Sequence, residues 1–284
     1  MTRYGGRPDL RELPRLEREV RATCVQMAYD GKEGHLSSSL SQAGLLVALY
    51  HAWLRIDPAR PKAAGRDRFF LSKGHACASL YAVLAQRGLL PRQALREYNR
   101  AGGALPSHPC LHALPLLEIS SGSLGQSLGV AAGVLYGLRL KGEAGRAAVL
   151  LGDGECNEGS VWEAAMFAAA HGLDRLLAVV DYNGLQAVGR SDELMGHTRL
   201  EEKFRAFGWA AREVDGTDLR EVVAALDAVP FAPGRPSAIV ARTRAGVSFM
   251  DGNVLWHYRR PSAEDLAAAL AELGERPLHL RDDL

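Results

Sequence analysis

The chain is short of every feature that would take it out of the soluble globular class. No apolar run approaches the ~20 residues of a membrane span. The first fifteen residues, MTRYGGRPDLRELPR, lack the apolar stretch of a secretory signal. Cysteine is scarce, and Cys24, Cys77, Cys110 and Cys156 show no close metal-ligand pairing, which suits free thiols in a reducing compartment. Neither sign of charge is in excess: the net charge is +1, so no strong field points to nucleic acid or a membrane surface. Repeats, low-complexity tracts and a convincing linker are missing as well. Two nucleotide-binding signatures are absent. GDGECNEG has its third glycine too late for GxGxxG, and no GxxxxGK[ST] occurs. A cytoplasmic location is the expectation.

What is present is an ordinary composition, 47% hydrophobic and 24% charged over 284 residues. Leu13, Leu16, Val20, Cys24 and Met27 recur at helical spacing through 13–29. The glycine- and serine-rich break GKEGHLSSSLSQ leads into a mostly apolar helix, AGLLVALYHAWL. RFFLSKGHACASLYAVLAQRG reads as a short strand, a turn and a helix. Residues 101–123, rich in Gly, Pro and His, read as a long functional loop. SLGQSLGVAAGVLYGLRL is a small-residue helix. Strands at 147–151, 176–181, 210–214 and 237–242 then alternate with helices at 158–171, 199–206 and 217–228. That alternation predicts an α/β fold: one domain over 1–284, core about 15–260, with a mostly parallel sheet and helices on both faces. The strands at 147–151 and 176–181 are nearly pure apolar, as central strands are. Helix 158–171 is apolar nearly all round (Val161, Trp162, Ala164, Ala165, Met166, Phe167), which predicts burial on more than one side and hints at a subunit interface.

Asp153, between two glycines, ends the run AAVLL, and Asn183 ends the run LLAVVD. Equivalent strand ends lie side by side in a parallel sheet, and ligands bind on that rim. A carboxylate and a carboxamide oxygen together make a hard-oxygen site for Mg²⁺ or Ca²⁺. The glycines let backbone approach a phosphate, and the helix after Gly154 points its positive end there. An Asp capping a helix and an Asn in a turn are each common alone. Together at strand-end spacing they favour a diphosphate held through a divalent metal.

These residues resemble the N-terminal, thiamine-diphosphate-binding region of the transketolase family. The likeness runs through GHLSSSLS (34–41), RDRFFLSKGHACASLYA (66–82), PSHP (106–109), SSGSLGQSLG (120–129), GDGECNEGSVWEA (152–164), VVDYNGLQ (179–186) and TRAGVSF…WH (243–257). It implies that Asp153, Asn183 and the main-chain carbonyl of Leu185 hold the metal, and that the backbone N–H of Gly154 meets the diphosphate. Gly122, Ser123 and Leu124 match the loop bordering the aminopyrimidine and thiazolium. Glu158 carries two compatible accounts. One is compensation of the helix dipole. The other, from the resemblance, is a buried glutamate communicating with an activating glutamate on a partner. Four histidines in glycine-, proline- or serine-rich breaks also match: His35 and His108 as contacts to donor-substrate oxygens, His75 to cofactor and substrate, and His257 to the diphosphate and the reacting hydroxyl. Ketol transfer moves hydroxyl protons, and imidazoles near neutral pKa take and return them.

A complete transketolase continues into a second domain, whereas about one more helix follows Trp256–His257 here. The resemblance therefore implies the first half of a split enzyme. It would transfer a two-carbon ketol unit from a ketose or its phosphate to an aldose, with a separate C-terminal subunit supplying the activating glutamate, in a heterotetramer of two such pairs. Two alternatives stay open: acyloin formation or 2-oxoacid decarboxylation with the same cofactor, and a scaffold subunit without catalysis. The sequence departs from the family pattern at Ser127, at Ser37–Ser38 and at Tyr258, which replaces the usual glycine after the distal histidine. The serines are expected near the substrate mouth and bear on which sugar is used. His51, His112, His171 and His197 lack motif support and read as structural or solvated. Cys156 reads as a small buried side chain.

Overall fold

The computed structural model describes residues 9–196 and 199–277. Five strands form one parallel sheet: β1 (Arg68–Leu71), β2 (Ala147–Gly152), β3 (Leu176–Tyr182), β6 (Ala210–Asp215) and β7 (Ser237–Arg242), in the order β1-β2-β3-β7-β6. A short antiparallel hairpin, β4 (Leu185–Gln186) with β5 (Gly189–Arg190), follows β3. The helices are α1 (Leu13–Gly31), α2 (Leu36–Ser41), α3 (Ala43–Val47), α4 (Cys77–Gln86), α5 (Ser127–Leu140), α6 (Gly159–Ala170), α7 (Ser191–Met195), α8 (Leu200–Ala206), α9 (Leu219–Asp227) and α10 (Ala263–Leu273).

The sheet has a core on each face because side chains alternate along a strand. In β2, Ala148 and Leu150 join one core while Ala147, Val149 and Leu151 join the other. In β3, Leu177 and Val179 oppose Leu176, Ala178 and Val180 in the same way. Helices α1, α3, α4, α9 and α10 cover the first face; α5, α6 and α8 cover the second. Strands buried on both sides need apolar residues at every position, which is why these two read as unbroken runs. The far end of the fold is firmly stopped. Ser262 and Asp265 form a reciprocal cap on α10, and Gly274 ends that helix at φ 66°.

Three expectations are modified. The apolar segment after residue 43 is α-helical only to Val47 and continues to Trp53 as a wider π-helix, in which the Leu54 N–H reaches the Leu49 carbonyl at 2.7 Å. The small-residue helix starts at Ser127, not at 123. Gly125 sits at φ 81°, and a Cβ there would collide with Ser160 Oγ, so a tight turn stands before the helix. On α6 only one side is covered by this chain. Val161, Ala164, Ala165 and Ala168 are buried, but Met166 is 52% exposed and Phe167 39%. Among the described residues no helix is long and apolar enough to cross a membrane.

Candidate active site

Register brings the strand ends level. Gly152 pairs with Asp181 and Tyr182 with Arg242, so the residues that follow β2 and β3 emerge on one rim. There a cavity of about 580 Å³ opens. Its wall includes Asp153, Gly154 and Glu158 from the β2–α6 turn, Asn183 and Leu185 after β3, Gly122 and Leu124 from the long loop, and all four motif histidines. Ser123, between the two loop residues, is exposed and does not line it.

Asp153 is 6% exposed, and its Oδ2 accepts from Ser191 Oγ at 2.6 Å and from the Gly184 N–H at 3.2 Å. Burial pushes its carboxyl up to about 6, opposed by the Ser191 hydrogen bond and reinforced by nearby Asp181. A bound cation would relieve that strain, because opposite charge favours the ionised carboxylate. The Asn183 amide is oriented by its neighbours. The Ser41 hydroxyl donates to Asp181 at 2.5 Å, so it accepts from Asn183 Nδ2 at 3.2 Å. Asn183 Oδ1 accepts from the Leu185 N–H at 2.9 Å and keeps a second lone pair. Among the described residues no three His, Cys, Asp or Glu side chains are grouped to hold a metal. A cation on this rim would depend on one carboxylate, an amide oxygen, a main-chain carbonyl and oxygens of its own ligand, the hard-oxygen set that Mg²⁺ or Ca²⁺ takes.

The wall also fits an anion. A Cβ on Gly154 would come within 2.8 Å of the Gln186 side chain, so only glycine leaves the turn this close to β4. Gln186 Nε2 is buried on the cavity wall without a protein acceptor, a donor free for phosphate oxygen.

The four imidazoles converge from well-separated stretches of chain. The His35 ring centroid lies 5.2 Å from those of His75 and His257 and 6.2 Å from that of His108; His75 and His257 are 5.5 Å apart. Residue His35 adopts a left-handed φ of 54°, and its N–H donates to the His257 carbonyl at 2.8 Å. Gly34 permits that junction, since a Cβ there would lie 2.6 Å from the Tyr258 carbonyl oxygen. Burial, then Lys73, holds His75 well below the usual imidazole range. Burial and His35 lower His257 to about 4 and push His108 down too. Near neutral pH these three rings are uncharged and able to accept protons.

Sequence reasoning missed a charged layer beneath the site. Lys73, 3% exposed, pairs with Asp181, 0% exposed, and also donates to the Ser38 carbonyl at 3.0 Å. Asp181 further accepts from Ser41 and Thr243. Glu155, 2% exposed, accepts from Ser72 and from the N–H groups of Gly125 (2.7 Å) and Gly152 (3.1 Å), tying the long loop to the end of β2. The available signal was a charge ending an apolar run, in FFLSK, VVD and GDGE.

Other expectations divide. Glu158 caps α6 without a side-chain cap hydrogen bond and is exposed, so within one chain it is not a buried glutamate. Ser38 lines the cavity and Ser37 a neighbouring one, but Ser127 is 1% exposed at the start of α5 and outside the wall. His51 bonds Gln86 Oε1 at 2.9 Å, His171 packs on Tyr136 and Phe167, and His112 is exposed on its loop. His197 lies outside the described residues. Cys156 is 1% exposed and burial raises its thiol far above the usual range, so it is inert.

The profile of the family described as "Transketolase, thiamine diphosphate binding domain" matches residues 15–279. One of the two subunits named for apulose-4-phosphate transketolase in Phocaeicola vulgatus is 34% identical over 258 residues, 90% of this chain and 92% of that protein. The 6-deoxy-6-sulfo-D-fructose transketolase subunit SqwG of a Clostridium species is 40% identical over 242 residues, 84% of this chain and 88% of that one. Among solved structures, transketolase from Leishmania mexicana superposes with a TM-score of 0.88 at 26% identity, over 95% of this chain but only 42% of its own length.

Proposed function

The chain belongs to the transketolase family, and from that premise we propose that it is the thiamine-diphosphate-binding N-terminal subunit of a two-chain transketolase. The enzyme would move a two-carbon ketol unit from a ketose or ketose phosphate to an aldose. The chain spans about two-fifths of the solved transketolase it matches, whereas it covers nearly all of relatives named as subunits. That contrast supports a separate C-terminal chain as the partner, supplying the activating glutamate that Glu158 would meet across the interface. The uncovered side of α6, with Met166 and Phe167, supports further association into a heterotetramer. A cytoplasmic location remains part of the same reading.

The observation that carries the proposal is one cavity in which four imidazoles face the Asp153–Asn183 rim. We assign Asp153, Asn183 and the Leu185 carbonyl to Mg²⁺ or Ca²⁺. Gly154 and Gln186 would approach the diphosphate. Gly122, Ser123 and Leu124 would border the rings, with Ser123 acting through its backbone since its side chain is exposed. The cofactor, when bound, supplies the electron sink for cleavage and formation of the carbon–carbon bond. This chain's residues position the donor and move its protons. As the C2–C3 bond of a ketose breaks, its C3 hydroxyl loses a proton, and an uncharged imidazole such as His257 accepts it. His35 and His108 would hold the donor's other oxygens, and His75 both cofactor and donor. Relatives named for a phosphorylated and a sulfonated sugar agree with a polyhydroxylated, anionic donor.

The test is co-production with the C-terminal chain, followed by ketol transfer from pentulose and hexulose phosphates to a series of aldoses. Product formation dependent on both chains, on thiamine diphosphate and on a divalent cation is expected. Activity on pyruvate alone would instead favour the decarboxylase or acyloin alternative. Failure to bind the cofactor even with the partner would leave the scaffold alternative.

A further inference from the structure

Tyr258 is the residue at the cavity mouth that neither the rim nor the histidine cluster explains. It is 61% exposed although it lines the cavity. Its ring stands nearly perpendicular to two imidazoles, 4.7 Å from His257 and 5.2 Å from His35. The backbone beneath it is fixed, since the Tyr258 carbonyl packs against Gly34 and the His257 carbonyl accepts from the His35 N–H. An aromatic ring on a rigid stretch of main chain, held at one edge and otherwise bare, offers a hydrophobic wall.

We propose that Tyr258 is a specificity-determining residue whose ring packs along the carbon chain of the donor beyond the bond that breaks. This rests on the transketolase reading given above. If His35 and His257 serve the hydroxyls around the cleaved bond, the part of the donor that leaves as the aldose runs outward past Tyr258. Contact with that remote segment is binding energy available only to longer donors. A donor without the segment cannot use it.

The experiment uses the two-chain enzyme and two donors that deliver the same ketol unit. A pentulose phosphate breaks its C2–C3 bond and releases a three-carbon aldose phosphate. 3-Hydroxypyruvate loses its carboxylate as CO₂, so it has no leaving carbon chain. The readout is the ratio of kcat/KM for the pentulose phosphate to kcat/KM for 3-hydroxypyruvate. Tyr258→Ala is expected to lower this ratio about tenfold, the equivalent of one lost aromatic contact. Tyr258→Phe keeps the ring and is expected to hold the ratio near that of the parent. An unchanged ratio in Tyr258→Ala overturns the proposal. An equal fall in Tyr258→Phe overturns it as well, by moving the effect to the hydroxyl. Inactivity of the parent complex toward both donors would instead strike the transketolase reading itself.

Discussion

Replacing Lys73 with methionine should destabilise the chain more than any surface charge change could. The ammonium is 3% exposed and its partner carboxylate, Asp181, is 0% exposed. Removing one member of a buried pair leaves the other charge uncompensated and costs about 3–5 kcal/mol. Asp181 would retain its hydrogen bonds from Ser41 and Thr243, each contributing about 0.5–1.5 kcal/mol, which puts the expected loss near the lower end, about 3 kcal/mol. Asp181→Asn should also destabilise, since Lys73 would keep only the Ser38 carbonyl. The double variant removes both charges, so it should be better than the sum of the two singles by about 2 kcal/mol. Urea unfolding followed by the fluorescence of buried Trp53, Trp209 and Trp256 measures all four corners of the cycle. A loss under about 1 kcal/mol for Lys73→Met would mean the pair behaves as a solvated one. Strict additivity would mean the two residues do not act together. Either result refutes the argument.

Other outcomes follow from the same geometry. Asp153→Ala should weaken the joint binding of thiamine diphosphate and Mg²⁺ to the two-chain complex by about a hundredfold or more in calorimetric titration, and an unaltered isotherm would remove the metal assignment. Gly34→Ala places a methyl 2.6 Å from the Tyr258 carbonyl, which cannot swing aside. It should cost about 1–3 kcal/mol by urea midpoint and reduce ketol transfer, because the shift falls on His35 and His257. Parent-like values for both would show the junction to be slack. His51, half-buried on Gln86 with Arg87 and Glu19 nearby, is lowered by burial to about 4. Between pH 6.5 and 4 the unfolded chain takes a proton that the folded one refuses. Stability therefore falls as the pH drops through this window, by about 2 kcal/mol from this ring. His51→Gln should flatten that part of the stability curve, and an unchanged slope would absolve the residue.

The parallel sheet and its strand-end rim were legible because Leu, Val and Ala fill 147–151 and 176–180 and nothing but a doubly covered strand needs such runs. The order of the strands was not. Placing β7 between β3 and β6 depends on how helices pack, which no local pattern reports. Asp153 and the four histidines stood out through glycine-rich surroundings and motif likeness. Lys73, Asp181 and Glu155 did not, since a charge at the end of an apolar run looks the same whether it turns to solvent or pairs across the sheet. The turn at Gly125 was also hidden, because the atom that forbids a side chain there belongs to Ser160, far along the chain. Helix α6 reads as apolar all round for a reason outside this chain, since one of its sides waits for another surface.

The main-chain link from His35 to His257 joins segments more than two hundred residues apart in sequence. Loop closure over that span carries an entropy cost that local contacts do not share. The imidazole array should thus be among the last parts of the fold to assemble and the first to loosen. Catalytic competence would then report on integrity of the entire chain, and fade under mild denaturant before the sheet itself gives way.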